Sequence, residues 1–194
     1  MKKRQVEPTR CDWCLKDQLY KDYHDKEWGI PIHDDQKWFE KITLDGAQAG
    51  LSWYTILVKR DNYRRAYDYW DVSRIAAYTG KDFSRLLQDR GIVRNKLKIK
   101  ASITNAQAFL KVQEAFGSFD HYIWQFTDHK IIVNYPQTLA DVPVTSHESD
   151  RMSQDLKARG FKFVGSIICY AFMQAAGMVD DHLVSCWRKQ KPVK

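Results

Sequence analysis

Apolar residues fall at helical spacing along almost the whole chain, which sets an all-α fold as the expectation. Asp35 is positioned to cap a helix carrying Trp38, Phe39, Ile42, Ala49 and Leu51. Ser52 starts another with Trp53, Ile56 and Leu57. Asp71 and Asp82 read as N-caps of short helices over Val72 to Tyr78 and Phe83 to Gln88. Asn95 opens a long helix from Lys96 to about Phe116, closed before Gly117, and Ser118 opens one through Phe126. Thr145-Ser146-His147-Glu148 has capping-box spacing, with Gly160 closing the helix that follows. A buried helix then runs from about Phe163 to Ala176, with Gly177 past its end. Ile131 to Val144, with two prolines, reads as an extended connection holding at most a short strand. The expectation is an all-α fold: tails over 1–9 and 188–194, and a single compact domain over 10–187.

A chain of 194 residues buries a substantial core without disulfides. MKKRQVEPTR lacks the apolar stretch of a signal peptide, so a cytoplasmic, reducing compartment is expected. The uncharged run FVGSIICYAFMQAAGMV reaches at best the lower limit for crossing a bilayer, which favours a core helix over a membrane span. Nothing demands more than a monomer without obligate protein partners.

The formal charge is +7, and RGIVRNKLKIK, Arg90 to Lys100, carries five basic residues and no acid. A polyanion partner is one reading and a solvated cationic face the other. Between the two flanking helices, DRGIVRN suits a helix-hairpin-helix turn around Gly91, whose backbone amides and following helix start take a phosphate without reading bases. Arg94, Lys96 and Lys98 add charge there; the alternative is an ordinary turn.

Cys11 and Cys14 in RCDWC form a C-x-x-C pair: half a metal site, a redox couple, or two buried thiols. His182 and Cys186 stand four residues apart, which a helical turn places on one face, and His24 lies in YHDKEW. Two cysteines and two histidines make a closed, structural zinc set of Cys11, His24, His182 and Cys186, although spacing alone admits Cys14 in place of Cys11. Each residue also has an ordinary alternative as a core histidine or a thiol near a tail.

The order RCDWC, YKDYHDKEWGIP, LDGAQAGLSWYTILVKRDNYR, GIVRNKLKI, RGFKFVGSIICYAFMQAAGMVDDH and a final Cys resembles the bacterial DNA-3-methyladenine glycosylase I family from about Cys11 to Cys186. The resemblance implies a helix-hairpin-helix glycosylase fold whose structural zinc joins the N- and C-terminal segments through Cys11, His24, His182 and Cys186. Its implied partner is double-stranded DNA containing alkylated bases, and its implied reaction is hydrolysis of the N-glycosidic bond of 3-methyladenine in base-excision repair. It places Trp53 as a stacking wall, Tyr23 as a hydrogen-bonding group on the base, and Trp13 and Tyr20 around the pocket. Trp28, Trp38, Trp70 and Trp124 are left to the core.

One departure stands out. The family has a glutamate where this chain has Asp45, in LDGAQAGLSW, so the carboxylate loses about 1.5 Å of reach. Asp45 and Tyr23 are the expected catalytic pair. Gly50 and Leu51 form a turn suited to the gap left by an extruded nucleotide, with Leu51 either a wedge or core packing. Ile99 to Gln113 contains no acid, and no hairpin lysine stands out as a nucleophile, which fits a monofunctional hydrolase. The rival readings are a non-catalytic zinc-stabilised DNA-binding protein with a drifted pocket, and a metal-dependent hydrolase, which a closed ligand set disfavours.

Overall fold

The computed structural model describes residues 7–189. Its helices are α1 (Gln18–Lys26), α2 (Asp35–Gln48), α3 (Trp53–Leu57), α4 (Arg60–Ala66), α5 (Val72–Ala76), α6 (Gly80–Gln88), α7 (Lys96–Phe116), α8 (Phe119–Trp124), α9 (His147–Ala158) and α10 (Ser166–Ala175). The strands β1 (Ile132–Val133) and β2 (Val179–Asp180) pair in parallel, Ile132 opposite Val179. The chain is therefore mostly helical, and the one short strand expected between Ile131 and Val144 has its partner just past α10. Among the described residues, no helix is long and apolar enough to cross a membrane. The outermost parts of the expected tails, 1–6 and 190–194, lie outside the described residues.

The described residues divide into two compact units. The larger holds Ile32–His129 and Val144–Phe172; the other holds the chain up to Pro31, Lys130–Pro143 and the chain from Met173 onward. In the larger unit α7 buries Ile99, Ala101, Ala106, Ala108, Phe109 and Val112. Phe109 stacks on Phe119 at 4.1 Å and meets the Phe39 ring edge-on at 5.4 Å. Trp38, Phe39, Ile42 and Leu44 of α2 join this core. Each fully buried large side chain of this kind contributes roughly 1.5–3 kcal/mol by leaving water.

Three N-caps differ from the sequence expectation, each by a competing hydrogen bond. Asp34 rather than Asp35 caps α2, accepting from Lys37 N–H at 2.8 Å. The Asp35 carboxylate instead accepts from Phe119 N–H and Asp120 N–H, both at 2.8 Å, and so caps α8 from another helix. Thr79 caps α6 in a reciprocal box with Asp82, and Ser146 caps α9 in a box with Ser149, because both acceptors sit three residues from their partners. Ser52, Asp71, Asn95 and Ser118 cap their helices as the sequence indicates. The buried helix begins at Ser166, since Phe163 has φ +56° and cannot extend it N-terminally.

Candidate functional site

Within the unit containing both chain ends, the structure brings together three buried side chains, Cys11, His24 and Cys186, whose ligand atoms lie within 4.8 Å of one another. Sγ of Cys186 is 3.4 Å from Nε2 of His24. The ring of His182 stands 5.2 Å from that of His24, edge to face, and its buried Nε2 has no hydrogen-bond partner among the described residues. Both imidazoles are aimed by a carboxylate on the opposite nitrogen: Nδ1 of His24 to Asp25 at 2.8 Å, and Nδ1 of His182 to Asp180 at 2.8 Å. That arrangement fixes the tautomer that leaves Nε2 available as a donor atom to a metal.

The two carboxylates are themselves held. Burial pushes Asp25 up, but hydrogen bonds from Arg10 and His24 outweigh it and keep the group at about 2. Asp180, partnered by His182 and Lys189, sits at about 2 by the same balance. The Cys11 thiol hydrogen-bonds to Cys186; this raises Cys11 well above the usual thiol range, burial adding to it, and lowers Cys186 to about 4. Cys14 stands apart: its thiol donates to the Cys11 carbonyl at 3.1 Å, and burial raises it to about 11. The choice that spacing left open between Cys11 and Cys14 thus falls on Cys11 by geometry.

His182 and Cys186 do not share a helix. A turn closed by Cys186 N–H on the Leu183 carbonyl at 2.8 Å, within non-helical backbone, presents them. Gly29, at φ +75°, packs on the His182 ring, and a Cβ there would stand 2.6 Å from Cε1. Trp28, assigned to the core from sequence, lies beside the cluster, 4.5 Å from the His182 ring and 6.1 Å from His24. The acids of His24-Asp25 and Asp180-Asp181-His182 were the available signal for these outer contacts. In the same unit Trp13 meets Tyr20 at 5.0 Å and Tyr23 at 6.3 Å, both edge to face. The helix that carries Tyr20, Tyr23 and His24 is α1, capped by Asp17, which its sparse apolar positions had hidden.

In the larger unit Asp45 is buried on the last turn of α2. Burial pushes its carboxyl above the ordinary range, while Lys41 and Arg60 pull the other way. Lys41, one turn earlier and also buried, places Nζ 3.0 Å from Oδ1 of Asp45 and 4.1 Å from the centroid of the Trp53 ring. Oδ2 of Asp45 has no hydrogen-bond partner among the described residues. Between Asp45 and Trp53 the chain turns through Gly50, at φ +74° with open space where a side chain would stand, and Leu51, which is 41% exposed. Leu51 is thus not a core residue. Trp38, Trp70 and Trp124 are.

In the turn between α6 and α7, Gly91 N–H donates to Asp89 at 2.7 Å, and a Cβ on Gly91 would meet Asn62 at 2.9 Å. Asn95 caps α7 through Leu97 N–H and Lys98 N–H. An open depression of about 620 Å³ is lined by Lys59, Leu87, Arg90, Ile92, Arg94 and Lys96. Lys98, expected among the phosphate-facing charges, turns inward instead and donates to the carbonyls of Ala47 at 2.8 Å and Ala49 at 2.5 Å. The last carbonyls of a helix have no partner within it and favour a cation, and Lys98 thereby ties α7 to the end of α2.

A model of the methyladenine glycosylase family matches residues 13–189. DNA-3-methyladenine glycosylase 1 of Escherichia coli (strain K12) is 48% identical over 177 residues, which is 91% of this chain and 95% of the relative. DNA-3-methyladenine glycosylase of Haemophilus influenzae (strain ATCC 51907 / DSM 11121 / KW20 / Rd) is 47% identical over 178 residues, 92% of this chain and 96% of the relative. Among solved structures, a crystal structure of 3-methyladenine DNA glycosylase I (TAG) superposes with TM-score 0.92 at 47% identity, covering 94% of this chain and 100% of that one. A variant 3-methyladenine DNA glycosylase I in complex with 3-methyladenine gives 0.91 at 34% identity, covering 95% and 99%. The fold, then, is that of a DNA glycosylase. The chain belongs to the methyladenine glycosylase family.

Proposed function

We propose that this protein hydrolyses the N-glycosidic bond of 3-methyladenine in alkylated DNA, leaving an abasic site for base-excision repair. The observation that carries this is near full-length similarity, at 47–48% identity, to two proteins named for that activity. Methylation at N3 makes the base cationic while it is attached to the sugar, and it departs neutral. Little protonation is needed, so catalysis rests on extruding the nucleotide, binding the base and stabilising positive charge on the sugar. Trp53 offers a π face to an electron-poor base, with Asp45 as the negative partner. Tyr23 hydrogen-bonds the base, Trp13 and Tyr20 shape the pocket, and Leu51 with Gly50 enters the DNA.

The metal in this reading is a structural zinc held by Cys11, His24, His182 and Cys186. The edge of a tetrahedral N2S2 zinc site is about 3.5 Å, which the 3.4 Å between Cys186 and His24 matches. The unpartnered Nε2 of His182 supplies the fourth donor. No position is left for water, so the metal has no part in the reaction.

The turn around Gly91 is read as a helix-hairpin-helix phosphate contact on double-stranded DNA, in a cytoplasmic, monomeric enzyme. Arg94→Ala combined with Lys96→Ala is expected to weaken binding to every duplex about equally and to flatten the salt dependence by roughly two phosphate contacts. Fluorescence anisotropy at several salt concentrations reads the slope, and an unchanged slope moves the DNA contact elsewhere. The activity itself is tested by chromatography of bases released from methylated duplex DNA. Release of 3-methyladenine by the wild-type chain is expected; binding of abasic-site DNA with no base released would instead favour a non-catalytic DNA-binding protein.

A further inference from the structure

The negative group and the π face assigned to a cationic base already hold a cation. Nζ of Lys41 is 3.0 Å from Asp45 and 4.1 Å from the Trp53 centroid, and both members of the ion pair are nearly inaccessible, at 10% and 5% side-chain exposure. A lysine four residues before an aspartate on a helix is ordinarily a solvated surface pair of little net worth. Here it is buried, and its ammonium meets the same two features that a methylated purine needs: a carboxylate and an electron-rich ring.

We propose that Lys41 is a resident cation of the base pocket, which leaves Asp45 and Trp53 when a cationic base enters and returns when the neutral product departs. This rests on the assignment of Asp45 and Trp53 to the base. Its consequence is selectivity by charge exchange. A cationic base replaces one positive charge with another, whereas a neutral undamaged base that displaced Lys41 would leave the buried Asp45 without a counter-charge, a costly state. The second oxygen of Asp45, without a hydrogen-bond partner among the described residues, is a free acceptor for the incoming base.

The exchange has a proton signature. The charged and titratable groups around Asp45 are Lys41 on α2 itself, Arg60 of α4, which is held by Glu40 at 2.7 Å, and the thiol of Cys169 on α10, which burial keeps protonated at about 12. With Lys41 in place as counter-charge, the proposal requires Asp45 to carry its charge both before and after a cation enters, with no proton exchanged. In Lys41→Met burial drives the carboxyl up further without its nearest counter-charge, and entry of a cation is expected to expel a proton.

The probe is the fixed cation 3,9-dimethyladeninium, whose own charge does not change near neutrality. Its Kd is read by tryptophan quenching from about pH 6 to pH 8.5. The wild-type Kd is expected to be flat. That of Lys41→Met is expected to tighten with rising pH, by up to about tenfold per unit. Lys41→Gln, which keeps a donor toward Asp45 without the charge, gives the same slope and serves if the methionine variant does not fold. Equal slopes in wild type and variants overturn the proposal, because Lys41 would then not set the charge of Asp45 and could not be the cation whose place the base takes. If the wild type releases no 3-methyladenine from methylated DNA, the excision reading fails instead; release together with equal slopes removes only the role given to Lys41.

Discussion

Cys186→Ser lowers the melting temperature by roughly 10 °C and abolishes stoichiometric metal binding: this is the expected result of emptying the cluster at the chain ends. Cys186 is the hinge of that cluster, hydrogen-bonded with the Cys11 thiol and 3.4 Å from Nε2 of His24. A serine hydroxyl is too weak a ligand for zinc, and the change would leave Cys11, His24 and His182 buried without the ion proposed to satisfy them. Structural zinc contributes to folding free energy directly, because the unfolded chain has no preformed site. A loss of about 3–5 kcal/mol corresponds to roughly 10 °C in a chain of this size. Cys14→Ser is the internal control. Its thiol is as buried as its neighbour's but points to the Cys11 carbonyl, so full metal content and a shift of a few degrees are expected. Elemental analysis beside calorimetry reads both. Full metal occupancy and an unchanged melting temperature in Cys186→Ser would falsify the ligand assignment.

What the sequence made legible followed the range of each interaction. Caps at Ser52, Asp71, Asn95 and Ser118 act within one turn, so local pattern was enough to place them. Asp35 was misassigned because its carboxylate is used 84 residues away, at the start of α8, a partner that no window of sequence contains. Lys98 looked like one more charge in a basic run, yet it closes the end of α2 across 51 residues. At the Cys/His cluster the residue types were readable, but spacing alone could not choose Cys11 over Cys14, and only the family resemblance pointed to Cys11, since the choice depends on which thiol the short turn at Asp12–Cys14 directs toward His24. Lys41 was passed over for the opposite reason. Its partner is only one helical turn away, and the pair reads as ordinary surface charge until its burial is known.

Asp45→Asn is the second change with a large expected effect, a fall of roughly 10²-fold or more in 3-methyladenine release, with binding of undamaged duplex unaltered because the proposed phosphate contact at Gly91 is untouched. Two terms act in the same direction. The amide keeps the shape of the carboxylate but not its charge, so the cationic base and the positive charge that develops on the sugar lose their negative partner. The amide also removes the carboxylate that Lys41 meets at 3.0 Å, so a buried ammonium loses that counter-charge, repels the base and destabilises the fold by about 1–3 kcal/mol. The double variant Asp45→Asn with Lys41→Met separates the terms. Removing the stranded charge is expected to restore most of the melting temperature and none of the activity, if the carboxylate is needed for excision. Activity that returned with stability would instead show that the single variant fails through its leftover ammonium, and that the shortened side chain at this position has ceded the base contact to other groups.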